Sequence, residues 1–534
     1  MQTPASAAAA DPPRTLARDS HEQRVATLRW RDVLLGEPLL LAVAVGLSLA
    51  LSVEGAAFIG SDWSILATMA GAHDHTIAGL VYALGAGQPA VAPVQRWYLA
   101  VLYSLLSWQP LGYWAINSAL LLGAMILAYF QVRQLQMPRL VAVAVPAGAA
   151  ASLGFAVGGN ALGDGLALLL GMLGLYAEVR AMRHGLRRYW CWKPAALVCL
   201  AGACLSSPTV SVLLVAGLMQ TIRRAPTLGD AELGRLRGGQ LRLTQGGLAV
   251  SAAGALAALV GMSPGWSMTA VTAWAQSVPG YLWDVLRDPT GEPLYVGLGA
   301  LTALLMGVTL WRASSPSWSA AVSWRTWLAL AVLGVLTTGI GAGASWYGRP
   351  GAITAAGLAM AAAGSLGLVA ALLPTDLLRR EVLSVLLVLT CAAALVAGSA
   401  ALEAHGAVYR GERAAAASLV RALPRVPPDS TILIEPACPS AISALAMRSP
   451  ATLPAIMAIA YHDPTDQVVV LGAQVQARTG WVTVGGARRV TSVYLYSDRL
   501  FIYDEAQGTA FQLRDAAQAA RNVQAYSERV DACH

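Results

Sequence analysis

The residue types with the greatest chemical reach cluster between positions 53 and 135. Asp62 stands in VEGAAFIGSDWSILATMAGAHDH, just beyond a first apolar run, in a long segment of small and aromatic residues that leads back to a second run. A carboxylate there can take a proton from a hydroxyl in a reaction at a membrane surface. An Asp after Gly-Ser can equally cap a helix over WSILATMAG. The same segment carries Glu54 and the triplet His73, Asp74, His75. That triplet can reach a metal, but its spacing matches no ligand signature, so a solvated loop is the simpler reading. A second acid, Asp164 in GGNALGDGLALLL, opens a later apolar run and has the same two readings, chemistry or an N-cap.

The elements that must position these residues are membrane helices. Hydrophobic residues make up 56% of the 534 and charged residues only 12%, with mean hydropathy +0.56. Soluble domains are normally about a quarter charged, so most of this chain faces lipid or other helices. Runs near the ~20 residues that cross a bilayer fall at 34–53, 113–135, 140–157, 165–182, 194–207, 209–222, 246–262, 293–310, 327–344, 351–373 and 382–402. This predicts a mainly α polytopic protein of about eleven spans. The net charge of +7 comes mainly from arginines in short loops between the runs, which argues against a nucleic-acid partner. Those basic loops fall on one side if the count is right, and cations concentrate on the cytoplasmic side. The N-terminal segment 1–33, Ala/Pro-rich and then basic, is then a cytoplasmic tail, and residues 34–402 form the membrane domain, with a large outer loop at 54–112. The expected location is the cytoplasmic membrane.

Composition changes after 402. A helix is expected at 408–423, then strands at 431–435 and in QVVVLG, WVTV, RVTSVYLYS and RLFIYDE, and a last helix at 512–527. Residues 403–534 therefore read as a small extracytoplasmic α/β domain. Its two cysteines, Cys438 and Cys533, are a disulfide candidate in an oxidising compartment.

The strings RWYLAVLYSLLSWQPLGYWAINSALLLGAMILAYFQVRQL and GDGLALLLGMLGLYAEVRAMRHGLRRYWCWKPAALVCLAGACLSSPTVSVLLVAGL give the first ~225 residues a layout that resembles the GT-C superfamily of polytopic glycosyltransferases. The likeness is to the protein mannosyltransferase and aminoarabinose transferase type. The resemblance implies a sugar donor carried on polyprenyl phosphate, drawn from among the membrane lipids. The acceptor would be a lipid-linked saccharide, a cell-surface glycan or a protein. It implies Asp62 as general base and Asp164 as a second catalytic acid. Asn160, His73 and Asp74 would bind substrate, and Arg96, Arg287 and Arg349 would hold phosphate by bidentate hydrogen bonds. Interfacial anchoring is the plain alternative for each arginine. A divalent metal ion would be the only cofactor, and no ligand set for one stands out. Two departures matter: Trp63 replaces a second acid, and Ser206, Ser207 and Pro208 replace a lysine. Trp266, Trp274, Tyr281 and Trp283 suit sugar stacking or an interfacial belt. No phosphate-binding glycine loop or nucleophile elbow is present. The rival readings are a transporter or flippase of lipid-linked saccharide, which predicts paired charges within spans, and a non-catalytic scaffold of the same fold in envelope glycan assembly.

Overall fold

The computed structural model describes residues 36–51, 58, 61–88, 91–134, 139–157, 164–183, 186–207, most of 210–218, five positions in 301–308, 324–343, 352–435, 452–461, 467–471, 474–479, 481–485, 491–505 and 507–532. The expected tail at 1–33, the run at 246–262 and the aromatic loop after it lie outside them.

The chain is mainly helical with a small amount of sheet. In order, α1 is Glu37–Leu51, α2 Ser61–Ala70, α3 Ile77–Gly87, α4 Pro93–Leu106, α5 Pro110–Gln134, α6 Arg139–Val157, α7 Gly165–Arg183 and α8 Leu186–Ser206. Further along the chain come α9 (Trp324–Gly343), α10 (Ala352–Ala371) and α11 (Asp376–Ala422). Two stretches, Pro110–Arg133 within α5 and Thr354–Ala371 within α10, are long and apolar enough to cross a membrane. Shorter apolar helical stretches occur within α1, α3, α6, α8, α9 and α11. The outer segment expected at 54–112 holds three helices, α2 to α4. Thr76 caps α3 by accepting from the Gly79 amide at 3.2 Å, and Pro93 opens α4, where a missing N–H costs nothing.

Two expectations are corrected. The run expected at 194–207 belongs to the longer α8, which starts at Leu186 and takes Lys193 inside. The lysine is tolerated because it is buried against Glu178 of α7, forming an ion pair. The span at 382–402 and the separate helix at 408–423 are one 47-residue helix, α11. It starts at a Thr375 cap, runs through the alanine-rich RGERAAAASLVRA with no proline to stop it, and ends before Pro424. At 1.5 Å per residue it is about 70 Å long, more than twice the ~30 Å of a hydrocarbon core.

The helices form antiparallel hairpins, α7 with α8 and α9 with α10, and α6 touches α1, α5, α10 and α11. The Ser48 hydroxyl of α1 donates to the Ala150 carbonyl of α6 at 3.0 Å. In the α9–α10 pair, a Cβ on Gly334 would strike the backbone of Ala361, and one on Gly364 the backbone of Ala331. Small residues at such crossings let membrane helices approach closely.

Beyond α11 lies a four-stranded sheet in the order β2-β1-β6-β7 and an antiparallel β3-β4-β5 sheet. Here β1 is Thr431–Glu435, β2 Gln467–Val470, β3 Gln474–Ala477, β4 Trp481–Gly485, β5 Thr491–Leu495, β6 Leu500–Asp504 and β7 Thr509–Gln512. Helix α12 (Thr452–Tyr461) precedes β2, and α13 (Ala516–Ala532) follows β7. The last helix therefore begins after 512, whose residue closes β7. Strand β1 is parallel to β2 and β6. It is buried on both faces, which explains its unbroken TILIE sequence. Ile432 and Ile434 join one core and Leu433 another. The first of these is shared: Phe58, Trp63, Leu66, Leu80 and Leu99 of the outer segment pack in one cluster with Leu419, Met457 and Tyr503 of the C-terminal part.

Gly364→Ala should lower the melting point of the detergent-solubilised protein, by roughly 1–3 kcal/mol of overpacking. Gly46→Ala, where a Cβ meets nothing within 4 Å, should leave it unchanged or raise it. Equal melting points would remove the close crossing from the account.

Candidate functional site

Asp62 lies in the first turn of α2, where a negative charge is favoured by the helix dipole, and is 3% exposed. Its neighbour Trp63 starts an aromatic ladder. Phe58 meets Trp63 edge-on (centroids 5.6 Å apart, 68°) and Tyr113 likewise (5.3 Å, 78°). On another side Trp63 stacks on Tyr409 of α11 at 5.9 Å and 16°. The Arg413 guanidinium sits 5.7 Å from the centre of the Tyr409 ring, within cation–π range. At the break between α4 and α5, Ser107 has φ 50°, and its carbonyl accepts from the Tyr113 hydroxyl at 2.7 Å.

A second group, entirely polar, gathers where α4, α5, α7 and α8 converge. The Tyr98 hydroxyl donates to Asn117 Oδ1 at 2.9 Å. Gly165 lies so close to Asn117 that a Cβ there would come 3.1 Å from its carbonyl and side-chain oxygens. The Ser206 hydroxyl donates to Gln95 Oε1 at 3.0 Å. Ser207 hydrogen-bonds the Asp164 carboxylate. The Asp164 carbonyl accepts the first helical bond of α7, from Leu168 at 3.0 Å, so its backbone occupies the cap position while its side chain faces α8.

These surroundings set the electrostatics. Burial pushes the Asp164 carboxyl above the ordinary carboxylate range, and the Ser207 hydroxyl draws it part of the way back. The residue as a whole is half-buried, so the desolvation falls on the carboxyl end. Burial likewise raises the Tyr98 phenol well above its usual value, keeping it a neutral donor. A desolvated carboxyl among hydroxyl and amide groups can exchange a proton or hydrogen-bond a polyhydroxylated ligand.

The remaining sequence candidates divide into two sets. His73 and Asp74 are exposed in the turn before α3. There Asp74 accepts from the Thr76 amide at 2.9 Å and hydroxyl at 2.6 Å, and these bonds hold its carboxyl below the usual range. Arg96 is half-buried on α4 and donates from Nε to the Val91 carbonyl at 2.7 Å. Asn160, Arg287, Arg349, Cys438 and Cys533 lie outside the described residues. Among the described residues no group of three His, Cys, Asp or Glu gathers as a metal site. Sequence reading missed Gln95, Tyr98 and Asn117 as site residues, because nothing within their helices singles them out, and Tyr409 and Arg413, far downstream. Ser206 and Ser207 registered only as the loss of a lysine, whereas their hydroxyls link α8 to Gln95 and Asp164. No protein-family model and no curated protein matches the chain.

Asp164 binds its proton more tightly folded than unfolded, so its contribution to stability declines as pH rises from the ordinary carboxylate value through the raised one. Asp164→Asn should remove that decline, and melting scans across pH should show the variant gaining on wild type as pH increases. Ser207→Ala should move the transition to higher pH, read from the infrared band of the protonated carboxyl. A wild-type and Asp164→Asn pair with parallel pH profiles would refute the assignment.

Proposed function

We propose that this chain is a multi-pass membrane glycosyltransferase of GT-C type, with its N-terminus in the cytoplasm and its C-terminal domain on the outer face. It takes a sugar from a polyprenyl-phosphate donor and transfers it to a lipid-linked, cell-surface or protein acceptor. The observation that carries this reading is the setting of Asp62, a 3% exposed carboxylate on α2, which packs against α12 of the C-terminal domain. The Asp164 cluster supports it, being tied to the same outer segment through Gln95 and Tyr98 of α4.

In this mechanism the acceptor hydroxyl gives its proton to Asp62 as its oxygen attacks the anomeric carbon. The bond from that carbon to the phosphate oxygen breaks, and polyprenyl phosphate leaves as the anion. Asp164, with Ser207 and Asn117, holds sugar hydroxyls. Because Asp62 is covered, the C-terminal domain must shift against α2 to admit the acceptor, as lids do in many enzymes.

One observation favours the transporter reading. Glu178 and Lys193 form a buried ion pair between α7 and α8, and such pairs within spans commonly mark translocation paths. It lies toward the end of the hairpin that carries Arg183, Arg187 and Arg188, away from Asp164.

In cells whose own copy carries Asp62→Asn at normal abundance, a surface glycan should lack one sugar. An unchanged glycan, where deleting the gene alters it, would rule out Asp62 as the base. For the ion pair, Glu178→Gln alone should cut protein accumulation, since breaking a buried pair costs about 3–5 kcal/mol, and adding Lys193→Met should restore it. A double variant that accumulates but loses the glycan would favour the transporter.

A further inference from the structure

The outer third of α11 carries cations that the proposed reaction has not used. Arg410, Arg413 and Arg421 are exposed, as are Ala414 and Ala417 between them, whereas Ala416, Leu419 and Leu423 are buried. At 3.6 residues per turn the three arginines fall within about 80° of one another, a basic strip with only methyl groups between its members. Among the described residues no ion pair engages any of the three. Arg413 is fixed to the site by the Tyr409 ring beneath its guanidinium and by the stack of that ring on Trp63, next to Asp62.

Geometry aims this strip at the membrane. Side chains on a helix lean toward its N-terminus, which for α11 is the bundle end, and Arg413 does so in reaching back over Tyr409. If hydrocarbon ends near 402, Arg410 stands about 12 Å further along the axis. The headgroup layer is about 5–8 Å deep on each side, so arginines leaning back from that height reach its outer edge. Exposed guanidiniums at this level offer forked donors matched to phosphate oxygens.

We infer that Arg410 and Arg413 bind the phosphate monoester of the membrane-borne lipid carrier, the leaving group of the proposed transfer, and hold it beside the Asp62–Trp63 corner of the site. This deepens the glycosyltransferase reading and rests on it for the identity of the carrier. It also supplies the cation whose expected place is taken by Ser206 and Ser207. The strip lies where the helix has already left the membrane, and a doubly charged monoester gains more from two guanidiniums than a singly charged phosphodiester does.

The test is native mass spectrometry of the full chain in detergent with a polyprenyl monophosphate, the matching polyprenol, phosphatidylglycerol, and inorganic phosphate as competitor. Arg410→Gln with Arg413→Gln should weaken monophosphate retention at least tenfold and leave polyprenol retention unchanged. Arg413→Lys should lose a smaller part, and Arg478→Gln, an exposed arginine on the β3–β4 turn, should lose none. Retention by the double variant equal to wild type overturns the inference. So does equal retention of phosphatidylglycerol, which would mean a general anionic-lipid surface. Displacement by inorganic phosphate at the lipid's own concentration, which would mean a free-phosphate site, overturns it too. The assay contains no sugar or acceptor, so its result stands if glycosyl transfer fails. Undiminished transfer by the double variant would sink the strip and leave the transferase reading intact.

Discussion

The contact on which the rest of the structure depends is the stack of Trp63 on Tyr409. It joins a helix near the start of the chain to the C-terminal third of α11, and around it α2 to α4 and the C-terminal part share one apolar core. Each large side chain fully buried there contributes about 1.5–3 kcal/mol. Neither partner makes a complete core alone: without α2 to α4, Ile432, Ile434 and Met457 would lose much of their cover. The uninterrupted α11 makes this possible by delivering Tyr409, Ser418 and Leu419 at fixed angular positions. Two further bonds lock its end in place, Ser418 with the Tyr503 hydroxyl at 2.8 Å and the Tyr461 hydroxyl to the Leu423 carbonyl at 2.8 Å.

Beside this apolar seam the polar cluster has a different logic. Tyr98 pairs with Asn117 and Ser206 with Gln95, and the Asp164 carboxyl, whose desolvation is costly, retains a designated donor in Ser207. Half-satisfied buried polar groups are expensive, and a network of this kind specifies the register of its helices. Gly165 permits that register by leaving room for Asn117. The ion pair of Glu178 and Lys193 holds the far end of the same α7–α8 hairpin.

Much of the helical layout was legible because apolar runs of span length have few alternatives. The expected runs at 140–157, 165–182 and 351–373 nearly coincide with α6, α7 and α10. Errors arose where the signal was compositional. Arginine and glutamate after 402 suggested a boundary, yet alanine is the best helix former and carries α11 through it. Short strands such as β3 and β7, at four residues each, have too little alternation to register. Asp62 and Asp164 stood out as isolated acids in apolar surroundings. The residues around them did not, because Tyr98, Asn117 and Tyr409 look like ordinary helix residues until the fold joins Tyr98 to Asn117 and Tyr409 to Trp63.

The shared core also governs when the protein can mature. Trp63 and Tyr409 are separated by roughly 350 residues, which a ribosome adds at about 5–20 per second, so α2 to α4 wait on the order of 20–70 s for the second half of their core. During that interval Phe58, Trp63, Leu66 and Leu80 lack half of their cover and need shielding from other partners. A chain that stops before α11 would keep its earlier helices and its two acids while leaving this surface bare, a mark by which quality control can tell an unfinished copy from a complete one.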